Sequence, residues 1–173
     1  MVNIIHIKDE GEELDNAIQS AMDIINLYPE IFPHLYKQGF KLVKRIENGN
    51  LILEDGVLIT FTQYGNNGKL SRNAKVHKKR GDFIIHQIAS DKSVKGATKI
   101  VLDKFVQYCK SKGAESIFLT VRAFNEHARR FYERYGFEYV DDIVWNSKET
   151  GEIPGVIYKY NLVNNIASKF FKI

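Results

Sequence analysis

Apolar residues flank Ile4 and Ile5 in the stretch Val2 to Lys8, which predicts a first strand. Leu14, Ala17, Ile18, Ala21, Met22 and Ile25 then recur at steps of three and four. That spacing puts them on one face of an amphipathic helix. Pro29 punctuates the chain, and a second helix is predicted from there to about Glu47, on Ile31, Leu35, Phe40, Leu42 and Val43. Pro33 and Gly39 interrupt its regularity, and Asn48-Gly49 ends it. Leu51 to Leu53 and Val57 to Tyr64 flank Glu54-Asp55-Gly56, a hairpin signal.

The second half is more sharply patterned. Asp82 to Ser90 is a strongly apolar strand around Phe83-Ile84-Ile85. Gly96 to Lys112 has the helical period, with Ala97, Ile100, Val101, Phe105, Val106 and Cys109 on one face and Gly113 as the stop. Ser116 to Val121 reads as a short buried strand. Asn125 caps a helix carrying Ala128, Phe131, Tyr132 and Tyr135, closed by Gly136. Phe137 to Trp145 and Gly155 to Asn161 are two last strands around a polar turn, and Ile166 to Ile173 reads as a short docked helix. The order β-α-α-β-β-β-α-β-α-β-β implies a mixed sheet with helices on both faces. No internal repeat or linker divides the chain, so residues 1–173 are expected to form a single domain.

Composition narrows the class. With 173 residues, 44% hydrophobic and 27% charged, the chain has globular composition, which excludes disorder and collagen-like repeats. No apolar run approaches the roughly 20 residues of a membrane span. The start turns acidic too early for a signal or transit peptide, and the expected location is the cytoplasm. The one cysteine, Cys109, allows no internal disulfide and no cysteine-built zinc site; it falls on an apolar helix face and is expected to be buried. His6, His34 and His77 show no metal-site spacing, and His127 is expected to be solvated.

Charge is concentrated. Residues 65–81 hold Lys69, Arg72, Lys75, Lys78, Lys79 and Arg80 and no acid, and account for the whole net charge of +4. This stretch reads as a solvated loop or charged edge hairpin, or as a docking surface for nucleic acid, an acidic protein face or a phosphorylated ligand. No aromatic residue interleaves the lysines, which argues against stacking on single-stranded bases.

Two features carry chemistry. In the first, Ser93-Val94-Lys95-Gly96-Ala97-Thr98 joins a strand to a helix. A small-residue loop at a helix start aims backbone N–H groups and the positive dipole end at one point, which suits a phosphate. In the second, about thirty residues on, Asn125, Ala128, Phe131, Tyr132, Gly136 and Phe137 form N-x-x-A-x-x-F-Y-x-x-x-G-F. Together with the element order they resemble the GNAT superfamily of acyl-CoA-dependent N-acyltransferases. The resemblance is specific over residues 82–161 and rests on element order alone over the first 80.

That resemblance implies a mixed, mostly antiparallel, splayed central sheet flanked by helices on both faces. It implies a strand end, His86 to Ser90, whose free backbone groups pair with pantetheine, with Ile88, Ala89 and Ser90 among the cofactor contacts. It implies that the amides of Ser93, Val94, Lys95, Gly96, Ala97 and Thr98 hold a pyrophosphate. The family's loop is Q/R-x-x-G-x-G/A; the central glycine is kept here, while Ser93 and Thr98 depart from it. Thr98 adds a Cβ that narrows the approach and a hydroxyl that can donate, and Lys95 adds a positive charge. Asn125 matches a residue touching the pantetheine region, and Tyr132 matches the family's general acid, which protonates the leaving thiolate. Asp82, placed where histone-type members carry a glutamate, and His86 are the two candidate bases for the incoming amine, unless ordered water serves.

The expected activity is acetyl transfer from acetyl-CoA to an amine by direct attack through a tetrahedral intermediate, with no metal. The basic stretch tilts the acceptor toward a protein or another acidic macromolecule over a polyamine. The rival expectations are a catalytically silent module binding nucleic acid or acidic protein through residues 65–81, and a transferase drawing on aminoacyl-tRNA. A homodimer is compatible with the terminal hairpin.

Overall fold

A computed structural model describes residues 4–6, 11–39, 42–43, 50–65, 79–148 and 151–163 of the chain. Its centre is the apolar run expected as a strand, which forms β4 (Phe83–Ser90). Around it lie β1 (Ile4–His6), α1 (Glu12–Ile25), β2 (Asn50–Glu54), β3 (Val57–Gln63), α2 (Ala97–Ser111), β5 (Ser116–Arg122), α3 (Glu126–Tyr135), β6 (Glu138–Ser147) and β7 (Gly151–Asn161). The strands form one seven-stranded sheet in the order β1-β2-β3-β4-β5-β7-β6. Every neighbouring pair is antiparallel except β4 and β5, which are parallel.

The strand period decides which helix covers which face. Ile59 and Phe61 of β3, Phe83 and Ile85 of β4, and Ile117 and Leu119 of β5 point to one side. There they pack with Val101, Leu102 and Phe105 of α2 and Tyr132 of α3. Leu51 and Leu58 point to the other side and pack with Ala21, Met22 and Ile25 of α1. A smaller cluster, Ile84, Phe118, Ile143 and Ile157 with Tyr64 and Trp145 packed on it, lies on the α1 side but contains no helical residue. The sheet is therefore flanked by helices on both faces, and the outer half of the α1 side has strand residues as its floor.

The predicted second helix starts later than expected: Gly39, Leu42 and Val43 are helical, but the residues from Tyr28 to Gln38 are not. After α1 the chain makes a series of separate turns, with hydrogen bonds from Ile31 and Phe32 to the Tyr28 carbonyl and from Leu35 and Tyr36 to that of Phe32. Pro29 and Pro33 remove two donors, and Lys37 adopts φ +53° while donating its amide to Asn26 Oδ1 at 2.9 Å. The last hairpin is also longer than predicted: Gly151 to Pro154 pair with Ser147 to Val144. The expected terminal helix at 166–173 lies outside the described residues, as do Lys69, Arg72, Lys75 and Lys78 of the basic stretch. Among the described residues no helix is long and apolar enough to cross a membrane.

Candidate active site

The site begins where two strands part. β4 and β5 pair only at Phe83–Ile117, Ile84–Phe118 and Ile85–Leu119. Beyond that, Gln87 to Ser90 stay paired with β3 and Thr120 to Arg122 stay paired with β7, but not with each other. A bulge explains the divergence. Thr60 faces Gln87 while the next β3 residue, Phe61, faces Ile85, so His86 is one residue too many. An extra residue bends its strand and increases the local twist. It also turns His86 and Gln87 to the same side: His86 Nε2 lies 2.8 Å from Thr62 Oγ1, and the Thr60 hydroxyl bonds Gln87 Oε1. Both side chains are thus on the α1 side, beside the helix-free cluster.

The loop after β4 sits at the mouth of this wedge. Gly96 caps α2 in the left-handed region, φ +76°, with no side chain accepting from the first helical amides. A Cβ there would strain the backbone but would meet nothing within 4 Å, so the space over Gly96 is open. Among the described residues no group accepts from the amides of Val94, Lys95, Gly96 or Thr98. Ala97 donates to the Val94 carbonyl. Ser93 departs from expectation. Its amide donates to Asp91 Oδ1 at 2.8 Å, and its hydroxyl also bonds that carboxylate, which lowers the Asp91 pKa. Ser93 therefore shapes the loop, and both its donors are committed to Asp91. The loop is fixed to the β2–β3 turn, where the Asp91 amide donates to the Gly56 carbonyl at 2.9 Å and a Cβ on Gly56 would strike Asp91 and Ser93. Lys104 of α2 reaches Glu54 at 2.9 Å from the same turn.

Asn125 caps α3, accepting from the Ala128 amide at 3.3 Å, which leaves its side-chain NH2 as a donor. Tyr132 is buried between Phe131, Phe137 and Tyr158. Burial raises its pKa, so the phenol keeps its proton through neutral pH. Among the described residues nothing hydrogen-bonds its hydroxyl. Cys109 is fully buried, and burial pushes its thiol pKa up, which leaves it inert. His127 is exposed.

Asp82 stands apart from the rest. It is 2% exposed, and its two carboxylate oxygens accept from the Lys79 amide at 2.8 Å and the Ser116 amide at 3.1 Å. It sits at the paired end of β4, about 20 Å along the strand from Ile88 at 3.3 Å per residue. The sequence placed Asp82 among the candidate bases; the geometry gives it the work of joining the starts of β4 and β5.

Three groups that the sequence reading passed over complete the site. The Tyr28 hydroxyl donates to the Ser90 carbonyl on the β4 lip of the wedge. Arg122 Nε donates to the Ile31 carbonyl at 2.9 Å from the β5 lip. The turns after α1 thus strap both lips together. Trp145 lies across Gly155, where a Cβ would overlap its ring, and reaches the Arg122 guanidinium at 5.8 Å. Neither Tyr28 nor Arg122 belongs to a motif, and the only sequence signal was a glycine in a strand ten residues from the single tryptophan.

A parallel pair that opens into a wedge, with a helix-capping glycine loop at its mouth, defines the architecture of acyl-CoA-dependent acetyltransferases. The chain belongs to the GNAT acetyltransferase family, whose model matches residues 21–137. No curated protein sequence matches it. Among solved structures it resembles aminoglycoside 6'-acetyltransferase type Ii at 13% identity and TM-score 0.63, covering 94% of this chain and 97% of that one. It resembles the ribosomal-protein-S18-alanine N-acetyltransferase of Escherichia coli at 16% and 0.58, covering 94% of each. A Salmonella typhimurium protein assigned as an acetyltransferase, solved with its cofactor acetyl-CoA, matches at 10% and 0.60 over 95% of this chain and 96% of that one.

Proposed function

We propose that the chain, as one domain, transfers an acetyl group from acetyl-CoA to an amine by direct attack, with no acyl-enzyme. The carrying observation is the divergence of β4 from β5 after Ile85, with the open space over Gly96 at its mouth. Acetyl-CoA supplies the acetyl group as a thioester. The residues fit it: the unaccepted amides of Val94, Lys95, Gly96 and Thr98 and the positive end of α2 form an anion cradle for the pyrophosphate. Lys95 adds charge, and the Thr98 hydroxyl adds a donor. The unpaired edge of β4 from His86 to Ser90 offers backbone groups to the pantetheine amides and donors to the thioester carbonyl. Ala97 supports the cradle from its buried position. The Asn125 side-chain NH2, left free by the cap at the start of α3, would donate to the pantetheine region.

Tyr132 holds the proton for the departing thiolate. The amine enters from the α1 side, where His86 is the titratable side chain next to the divergence. His86 receives the ammonium proton, directly or through water. Asp82 has no part in this step, because both its oxygens are committed at the far end of the strand.

Calorimetric titration with acetyl-CoA and free CoA tests the reading. Micromolar binding is expected, weakened at least a hundredfold in Gly96→Glu, whose carboxylate fills the cradle. No binding to either ligand by a folded protein would sink it and turn attention to the basic stretch and an anionic macromolecule.

A further inference from the structure

The acceptor side of the wedge contains a cation that has no counter-ion among the described residues. Arg122 lies at the open end of β5, opposite Gly155 of β7, and shares the face that carries Phe118, Ile157 and the helix-free cluster. Its guanidinium is half-buried and fixed twice. Nε donates to the Ile31 carbonyl, and the Trp145 ring lies against it because Gly155 has no side chain to keep the ring away. Ring stacking and one hydrogen bond orient a planar group. They leave the terminal nitrogens with four N–H donors, and among the described residues no carboxylate forms an ion pair with them. Lys79, Lys99 and Lys104, by contrast, each have one. Burial of Arg122 with no carboxylate partner lowers its pKa, the sign of a charge stripped of water and not repaid. A bidentate carboxylate would supply what is missing.

We propose that Arg122 selects the acceptor: the amine acetylated by this chain carries a carboxylate, which the guanidinium, held between Ile31 and Trp145, binds. The inference rests on the acetyl-transfer reading, since it uses the wedge to place the amine. It explains why a carbonyl in the turns after α1 accepts from an arginine here, and why a glycine interrupts β7 beneath the ring. The acceptor class is that of amino acids and short peptides with a free carboxylate, in which amine and anion belong to one molecule.

Trp145 is the chain's single tryptophan, so its fluorescence reports on the surroundings of Arg122. The protein, saturated with CoA, is titrated with α-amino acids, ω-amino acids and acidic dipeptides, each beside its carboxamide. The expected result is a saturable Trp145 signal with carboxylates, at least tenfold weaker affinity for the matching amides, and equal weak affinity for both in Arg122→Gln. Arg122→Lys keeps the charge but loses the fork and should retain part of the preference. Acetyl transfer, followed by thiol release, should show the same preference in KM. Equal affinity for carboxylate and amide in the unaltered protein, or no carboxylate signal anywhere in the panel, overturns the inference without any variant having to fold. Acetyl-CoA binding measured on the same preparation before CoA is added separates the two readings: intact binding without carboxylate preference sinks this inference alone, and absent binding sinks the activity beneath it.

Discussion

The two ends of the β4–β5 pair are built on opposite plans. At the closed end the strands are bonded, Phe83, Ile85, Ile117 and Leu119 are buried beneath α2, and the Asp82 carboxylate ties the Lys79 and Ser116 amides together. Lys79 and Glu115 add an exposed ion pair of 2.7 Å. At the open end there is no ladder. A strap of turns bonds each lip separately, Tyr28 to Ser90 and Arg122 to Ile31, through half-buried polar groups. The closed end anchors the strands by burial, and the open end holds a gap by a few directional contacts. A fixed gap is what a substrate site needs: backbone edges exposed to a ligand yet unable to collapse on each other. The bulge at His86 is the switch between the two plans.

Breaking the closed end should cost stability and spare chemistry. Asp82→Ala leaves two backbone donors without their carboxylate, one of them on the buried Ser116. A loss of about 3 kcal/mol is expected. In a chain of this length that lowers Tm by about 6–12 °C in a thermal melt. The kcat of the protein that remains folded should stay within about twofold. A variant with unaltered melting and collapsed turnover would return the role of base to Asp82.

The opposite signature is expected at Tyr132. Its hydroxyl makes no hydrogen bond among the described residues, so Tyr132→Phe removes little from the fold. If it protonates the thiolate, kcat falls about a hundredfold, or about 2.7 kcal/mol, while acetyl-CoA affinity and Tm hold. Because burial raises its pKa, the acid stays protonated beyond the ordinary tyrosine value of about 10, and turnover should show no falling alkaline limb from this group below that pH. Unchanged kcat would make Tyr132 a core aromatic and nothing more.

How much of this was legible differs between the same two regions. Cofactor-side features are local in sequence. Gly96 before an amphipathic helix, and Asn125 three residues before Ala128, are caps whose geometry follows from residue type. The acceptor side is assembled from distant pieces. Tyr28 and Ser90 are 62 residues apart and Arg122 and Ile31 are 91 apart, so no window on the sequence contains either pair. The bulge adds one residue without changing the apolar pattern, and the apolar run after Pro29 reads as one helix although Pro29 and Pro33 break its first part into turns and helix is described only from Gly39. Asp82 was misread for a related reason: position along a strand was visible, but not that the strand's opposite end is where the partner departs. Ser93 shows the same limit on a smaller scale, since Asp91, two residues back, takes the donors its position seemed to offer.

The finest test concerns the strap. Burial, and then the Asp91 carboxylate, raise the Tyr28 pKa, so its hydroxyl remains a donor to Ser90 well into alkaline solution. For a group with a raised folded pKa, the stabilisation is complete below the ordinary value of about 10 and fades as pH rises through the folded one. Tyr28→Phe should cost about 1 kcal/mol and lower Tm by about 2–4 °C. It should also remove that alkaline loss from the pH dependence of Tm. If the strap sets the width of the wedge, freeing the β4 lip will raise the KM for acetyl-CoA a few fold and leave kcat unchanged, because Tyr132 on α3 is untouched. A fall in Tm with no change in KM would mean that the bulge alone holds the strands apart, and that the turns after α1 serve the acceptor side only.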